Sequence, residues 1–142
     1  MTDPAAKPDL LQPTDDEARG IARNLIRDAR FGALAVIDPE TGTPFVTRVA
    51  VGHDDTAPLI LVSRLALHTR ALLANPAASL LLGEPGPKGD PMNHPRLTIV
   101  TRAETADKAA QRDRWLATYP KSRLYYDFAD FLMFRLPPTC GH

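Results

Sequence analysis

The chain has one cysteine, Cys140, no excess of either charge, and no apolar run near the ~20 residues that a bilayer-spanning helix needs. Each absence removes a class of protein. A lone thiol closes no internal disulfide, so Cys140 is read as incidental and no covalent staple is expected. The 17 Lys and Arg residues balance the 17 Asp and Glu residues. Such a chain sets up no long-range field to draw it to nucleic acid or an anionic membrane. The opening stretch MTDPAAKPDLLQPTDDEARG lacks the basic-then-apolar order of a secretory signal. The expectation is a cytoplasmic protein with no nucleic-acid or membrane partner. The histidines, His53, His68, His94 and His142, are scattered and match no metal-ligand spacing. His53-Asp54-Asp55 reads as an exposed turn, and no metal is expected. No internal repeat or interdomain linker is visible, and 142 residues suit one domain with a real core.

What is present is a strong alternation of periods. Residues 1–13 carry Pro4, Pro8 and Pro13 among polar residues and read as a loose arm. Thr14-Asp15-Asp16-Glu17 has the pattern of a capping box. Ala18, Ile21, Ala22, Leu25, Ile26 and Ala29 then form one apolar stripe, which predicts a helix over 14–30. FGALAVI, residues 31–37, reads as a strand. Asp38 to Gly42 turn the chain, and residues 43–53 alternate, with Phe45, Thr47, Val49 and Val51 on one side and Val46, Arg48 and Ala50 on the other. Residues 58–62, PLILV, form a continuous apolar run, the mark of a strand buried on both faces. A short helix over 67–74, a strand over 78–83, a Gly- and Pro-rich loop over 84–95, a strand over 96–105, a helix over 107–118 and a last strand over 129–136 complete the reading, with 137–142 as a tail. The predicted class is mainly β with peripheral helices (α+β), a closed antiparallel barrel. The aromatics gather late: Trp115, Tyr119, Tyr125, Tyr126, Phe128, Phe131 and Phe134 read as core and interface packing, with stacking on a ring ligand as the alternative. Lys121, Arg123 and Arg135 read as surface residues, Arg135 also as a candidate for an interface ion pair.

The chemistry-bearing residues lie around the short central helix. Arg48 places a long cation in an apolar strand, where it needs an anion or a path to water. Ser63 and Arg64 end the next strand, and His68, Thr69 and Arg70 open the helix, whose first N–H groups carry partial positive charge. A guanidinium fork suits a phosphate. Two readings of these residues are open: convergence on one anion, or separate solvated side chains. Arg96 and the loop Asp90-Pro91-Met92-Asn93-His94-Pro95 are further polar candidates, equally readable as a strand connection.

The segments TPFVTRVAVGHDD, LILVSRLALHTRALLANPAASLLL, DPMNHPRLTIVTRAE and YYDFADFLMFRL, in this order after a helix and a strand, resemble the pyridoxamine 5'-phosphate oxidase-like FMN-binding split barrels. Within them the chain is most similar to the branch that includes haem-utilisation proteins. The resemblance spans residues 14–136, and residues 61–82 carry its most specific part. Arg70 stands where that branch often has asparagine, while oxidases of the wider family carry a basic residue near there. The resemblance implies a six-stranded antiparallel split β-barrel that forms a homodimer, with FMN in a groove between the subunits. It implies that Arg48 and Val49 approach the flavin, that Ser63 and Arg64 form the turn beside the phosphate, and that Thr69 and Arg70 begin the phosphate-binding helix. His68 is then a further donor or a structural neighbour. The implied function is an FMN-dependent oxidoreductase or flavin carrier acting on a small-molecule redox substrate, with no catalytic side chain assigned. A haem-binding or haem-degrading protein on the same barrel is the alternative, and a dimeric module without cofactor is a third. The chain stops soon after the last expected strand, without the longer C-terminal substrate motif of the vitamin oxidase, so that activity is not expected.

Overall fold

The computed structural model describes residues 15–84, 87, 89, 90 and 94–141. Helix α1 runs Asp15–Asp28, with Asp15, Asp16 and Glu17 in its first turn and Arg27 in its last, charges that complement the helix dipole. Thr14, the other half of the expected capping box, lies outside the described residues, as does the arm before it. The stripe is real but only half used. Ile26 packs on the core, as does Ala29 just past the helix, while Ile21 stays 41% exposed.

Among the described residues eight strands follow, not the six implied by the resemblance. They are β1 (Phe31–Ile37), β2 (Pro44–His53), β3 (Pro58–Ser63), β4 (Ala77–Leu82), β5 (Leu97–Arg102), β6 (Glu104–Thr105), β7 (Phe131–Arg135) and β8 (Pro138–Gly141). Helices α2 (Leu67–Ala74) and α3 (Arg112–Thr118) and a 3-10 turn (Pro120–Leu124) complete the elements of the described residues. Neighbouring strands are antiparallel, in the order β6-β7-β3-β2-β1-β4-β5-β8. Only Ala103 separates β5 from β6, yet these strands lie near opposite ends of that order. One residue cannot cross a flat eight-stranded sheet at ~4.8 Å per strand, so the sheet curls until its ends meet. Strand β2 makes the split. Its residues 44–50 pair with β1 and residues 51–53 with β3, so the strand passes from one half of the barrel to the other.

Two expectations about strands are corrected. The run 96–105 divides at Ala103: its N–H still donates to the Pro76 carbonyl at 2.8 Å, in register with β4, while Glu104 and Thr105 pair with β7, and this change of partner yields β5 and β6 in place of one strand. The segment read as a tail holds β8 on the edge beside β5. An edge tolerates Pro138, which has no N–H to give, and Thr139 Oγ1 donates to the Val100 carbonyl at 2.7 Å. The expected helix over 107–118 starts only at Arg112. Asp107 Oδ1 takes the N–H groups of Ala109 and Ala110 at 3.0 and 3.3 Å, a side-chain turn that competes with the first helical turn.

The core has two compartments divided by β3. Ile60 and Val62 face the barrel interior with Leu34, Val36, Val51, Leu80 and Ile99. Leu59 and Leu61 face outward onto Trp115, Leu116, Tyr126 and Met133. The continuous apolar run PLILV is therefore covered on both faces, by the barrel on one and by α3 and the following turn on the other. A Cβ at Gly52 would lie 2.9 Å from the Trp115 ring, so glycine there lets the indole seat against β2. Gly83, at φ +112, closes β4 where a Cβ would stand 2.4 Å from the Pro95 carbonyl oxygen. Arg135, read from sequence as a surface or interface cation, is tied within the chain. Its Nε donates to Asp54 at 2.7 Å, and its other nitrogens to Thr56 and Glu104.

Candidate functional site

Strand β3 ends at Ser63, and the chain turns through Arg64 to Ala66 into α2. The turn is held at both ends. Ser63 accepts the Ala66 N–H on its carbonyl at 3.1 Å and the Leu65 N–H on its Oγ at 3.2 Å. The Arg64 N–H donates to the carbonyl of Asp130 at 2.6 Å. Helix α2 then begins with no side chain bonding its N-cap position, Ala66. Its first turn carries His68, Thr69 and Arg70. Arg64 and Arg70 are exposed, and Arg70 Nη1 donates to the Leu65 carbonyl at 2.9 Å, which folds its guanidinium back over the turn. Ser63, Arg64, His68, Thr69 and Arg70 thus lie at one corner of the barrel, where α2 packs on β1 and β2.

His68 is half-buried, and its Nδ1 lies 3.0 Å from Thr47 Oγ1 on β2. Burial pushes its pKa below the ordinary 6.5. Thr69 is fully buried, and its Oγ1 has no hydrogen-bond partner among the described residues. A buried hydroxyl left unpaired costs about 1–3 kcal/mol, so this atom is a specific feature of the corner.

Arg48 and Val49 lie elsewhere in the protomer. Successive side chains of a strand point to opposite faces. Thr47, bonded to His68, faces the same way as Val49, which is 5% exposed in the barrel core. Arg48 therefore points to the outer face. Its guanidinium lies 5.1 Å from the centroid of the exposed Phe31 ring, over a hollow of about 150 Å³ shared with Ala33 and Leu81. Beside it, between α1 and the loop after β4, is a wider cleft of about 500 Å³ walled by Ile21, Leu25, Ala29, Phe31 and Pro95, with Arg30 among its lining residues. Of the seven residues singled out from sequence, one protomer gathers five at the α2 corner and leaves Arg48 and Val49 outside that group.

Sequence reasoning missed Thr47, which orients the His68 ring. The only signal was a threonine on the core side of an alternating strand. It also missed Arg30 and the α1 cleft, because a helix stripe shows which residues are apolar but not how much of the stripe is covered. Arg96, just before β5, is exposed, and residues 91–93 of the polar 90–95 loop lie outside the described residues. Among the described residues no three His, Cys, Asp or Glu side chains group to hold a metal, and no helix is long and apolar enough to cross a membrane.

The donor set at the corner fits a phosphate monoester. It offers the positive end of a helix without a side-chain cap, two exposed guanidinium groups, the Ser63 hydroxyl, and one threonine hydroxyl still to be satisfied. For FMN, Ser63, Arg64, Thr69 and Arg70 would hold the phosphate, and His68 would brace the first turn. A bound flavin supplies the redox chemistry itself, while the protein binds, orients and shields it.

The curled antiparallel sheet with helices at its ends defines a split barrel. The profile of the pyridoxamine 5'-phosphate oxidase family matches residues 20–138, and the chain belongs to that family. It is 38% identical over 141 residues to the chloroplastic non-canonical heme oxygenase HOZ of Arabidopsis thaliana, an alignment covering 91% of this chain and 42% of that protein. The chain thus spans less than half the length of this relative. Among solved structures, a heme binding protein from Mycobacterium smegmatis is 29% identical with a TM-score of 0.80, covering 92% of this chain and 54% of that one. HutZ, the heme storage protein from Vibrio cholerae, shares the fold at 21% identity and a TM-score of 0.67, covering 92% and 94%.

Proposed function

We propose that the chain is an FMN-binding flavoprotein, active as a homodimer in flavin-dependent oxidoreduction of a small molecule whose identity is open. The α2 corner carries this reading. Two exposed arginines and a helix start without a side-chain cap belong to a turn whose backbone is already fixed by hydrogen bonds, so little backbone ordering is needed to bind a dianion. The Thr69 hydroxyl, buried and without a partner among the described residues, is a donor held beneath the corner. The homodimer is supported by the outer face of β2, β1 and β4. There Val46 (60% exposed), Phe31 (40%) and Leu81 (43%) flank Ala33 and Ala35 in register. A second protomer on that face would bring a partner's surface over Arg48 and so add Arg48 to a shared groove.

A haem reading is favoured by one group of observations. The curated relative is a heme oxygenase by name, a structural relative is a heme binding protein, and the α1 cleft of about 500 Å³ has apolar walls with Arg30 and, nearby, Arg48 to meet propionates. The two readings separate in one experiment. Small molecules released by heat from purified protein are identified by mass and absorbance, and the stripped protein is titrated with FMN and with hemin. The flavin reading expects absorbance near ~450 nm and tight FMN binding. Replacing Arg64 and Arg70 together by alanine should then weaken FMN by about 1.5–3 kcal/mol per lost charge-assisted bond. A stripped protein that takes hemin but not FMN would replace the flavin reading with the haem one.

A further inference from the structure

Lys108 is held more fully than any other lysine described. Its Nζ donates to three backbone carbonyls, those of Tyr126, Phe128 and Phe131, each at 2.7 Å. An ammonium has three protons, so the set is saturated. Its charge also lies 5.7 Å from the centroid of the Tyr126 ring. The tie runs both ways, because the Tyr126 hydroxyl donates back to the Lys108 carbonyl, and Tyr126 is fully buried.

Two of the acceptors belong to the loop between the 3-10 turn and β7, and the third, Phe131, is the first residue of β7. That loop is one wall of the α2 corner. Asp130, whose carbonyl takes the Arg64 N–H, lies between Phe128 and Phe131. Phe131 is the register partner of Ser63. One ammonium therefore fixes the segment that holds the backbone of both Ser63 and Arg64. Without it, three carbonyl dipoles would converge with no donor between them, and the loop would have to open to reach water.

We propose that Lys108 is the positioning residue of the α2 corner: by gathering the Tyr126, Phe128 and Phe131 carbonyls it holds the Asp130 carbonyl on the Arg64 N–H and sets the Ser63–Arg64 turn for its phosphate. The proposal rests on reading that corner as a phosphate site. Lys108 itself bonds to no residue of the corner and acts only through the loop.

The test uses Lys108→Met, which keeps length and apolar stem but removes the charge, with Arg135→Met as a control for general weakening of the same strand. Two quantities are read: amide hydrogen exchange at Arg64 relative to Ile60 and Leu61 in β3, and FMN affinity. In Lys108→Met, Arg64 exchange should rise about tenfold or more beyond any change at the β3 amides, with FMN affinity falling by about the same factor; Arg135→Met should leave both ratios unchanged. In Lys108→Ala, added n-propylammonium should slow Arg64 exchange again where sodium does not, since only the amine replaces the missing stem and charge. Arg64 exchange in Lys108→Met that tracks the β3 amides would overturn the positioning role, whatever FMN does. A wild-type protein that takes no FMN would overturn the phosphate reading and the site role with it, a result separable from the first because exchange at Arg64 is read without ligand.

Discussion

The Oγ1 of Thr47 and the Nδ1 of His68 lie 3.0 Å apart, joining strand β2 to the first turn of α2 across 21 positions of chain. The burial of His68 beside this contact couples the corner to pH. Burial depresses the His68 pKa, so the unfolded chain binds a proton more readily than the folded one. The stability associated with neutral His68 is fully present above 6.5, its ordinary value, and is lost as pH falls through that value toward the lower folded one. His68→Asn keeps a polar atom near Nδ1 and does not titrate. Chemical denaturation from pH 8 downward should show wild-type stability beginning to fall near 6.5 and the variant's staying flatter over the same window. Parallel curves would show that His68 does not set this dependence.

The unpaired Thr69 hydroxyl gives an opposed pair of effects. Thr69→Val is nearly isosteric and removes the buried oxygen, so the ligand-free protein should gain about 1 kcal/mol in urea unfolding. If Thr69 turns its hydroxyl to a phosphate, the same variant should bind FMN more weakly. A loss of stability would mean that the hydroxyl is satisfied in solution, and it would remove Thr69 as the reserve donor of the corner.

Much of this is legible in the sequence. The PLILV run announced a strand covered on both faces, and the alternation of 43–53 correctly put Arg48 opposite Val49, because a period of two fixes faces regardless of the partners. The residues of the α2 corner stood out by type and position, but no compact phosphate-loop motif chose between convergence on one anion and separate solvated side chains, and only the resemblance favoured the first. Strand β8 was hidden because Pro137 and Pro138 argue against a strand, and edge position, the exception, is a property of the sheet and not of the segment. Lys108 was invisible for a similar reason. A lone lysine in a polar stretch has no local signal, and its acceptors lie 18 to 23 residues downstream.

Asp54 should carry a separate part of the acid response. Burial would raise its carboxyl, but the Arg135 guanidinium and the bonds from Thr56 and Ala57 outweigh that and hold it well below the usual carboxylate range. Its folded pKa is depressed, so its stabilisation is present above the unfolded value of 3.8 and is lost as pH falls below it. The side chain is 19% exposed and its partner Arg135 29%, so screening is limited. Asp54→Asn should cost about 1.5–3 kcal/mol near neutral pH, with the gap to wild type closing below pH 3.8. A gap constant with pH would place the loss in the turn geometry and not in the charge.

On the proposed homodimer the outer sheet face would link assembly to binding. Leu81 and Ala33 are cross-strand partners, as are Ala33 and Arg48, so a charge at position 81 enters the same strip as the Arg48 guanidinium and the exposed Val46. On the proposed homodimer this strip is covered by the second protomer, where a carboxylate is costly to desolvate even with Arg48 across Ala33. Leu81 lies on the opposite side of β4 from the barrel core, so Leu81→Glu should leave the fold intact. Light scattering should then find wild type at twice the chain mass and Leu81→Glu at the chain mass, with FMN affinity reduced because the shared groove is gone. A dimeric Leu81→Glu would move the interface off this face, and a monomeric wild type that still binds FMN would show that one protomer's α2 corner suffices.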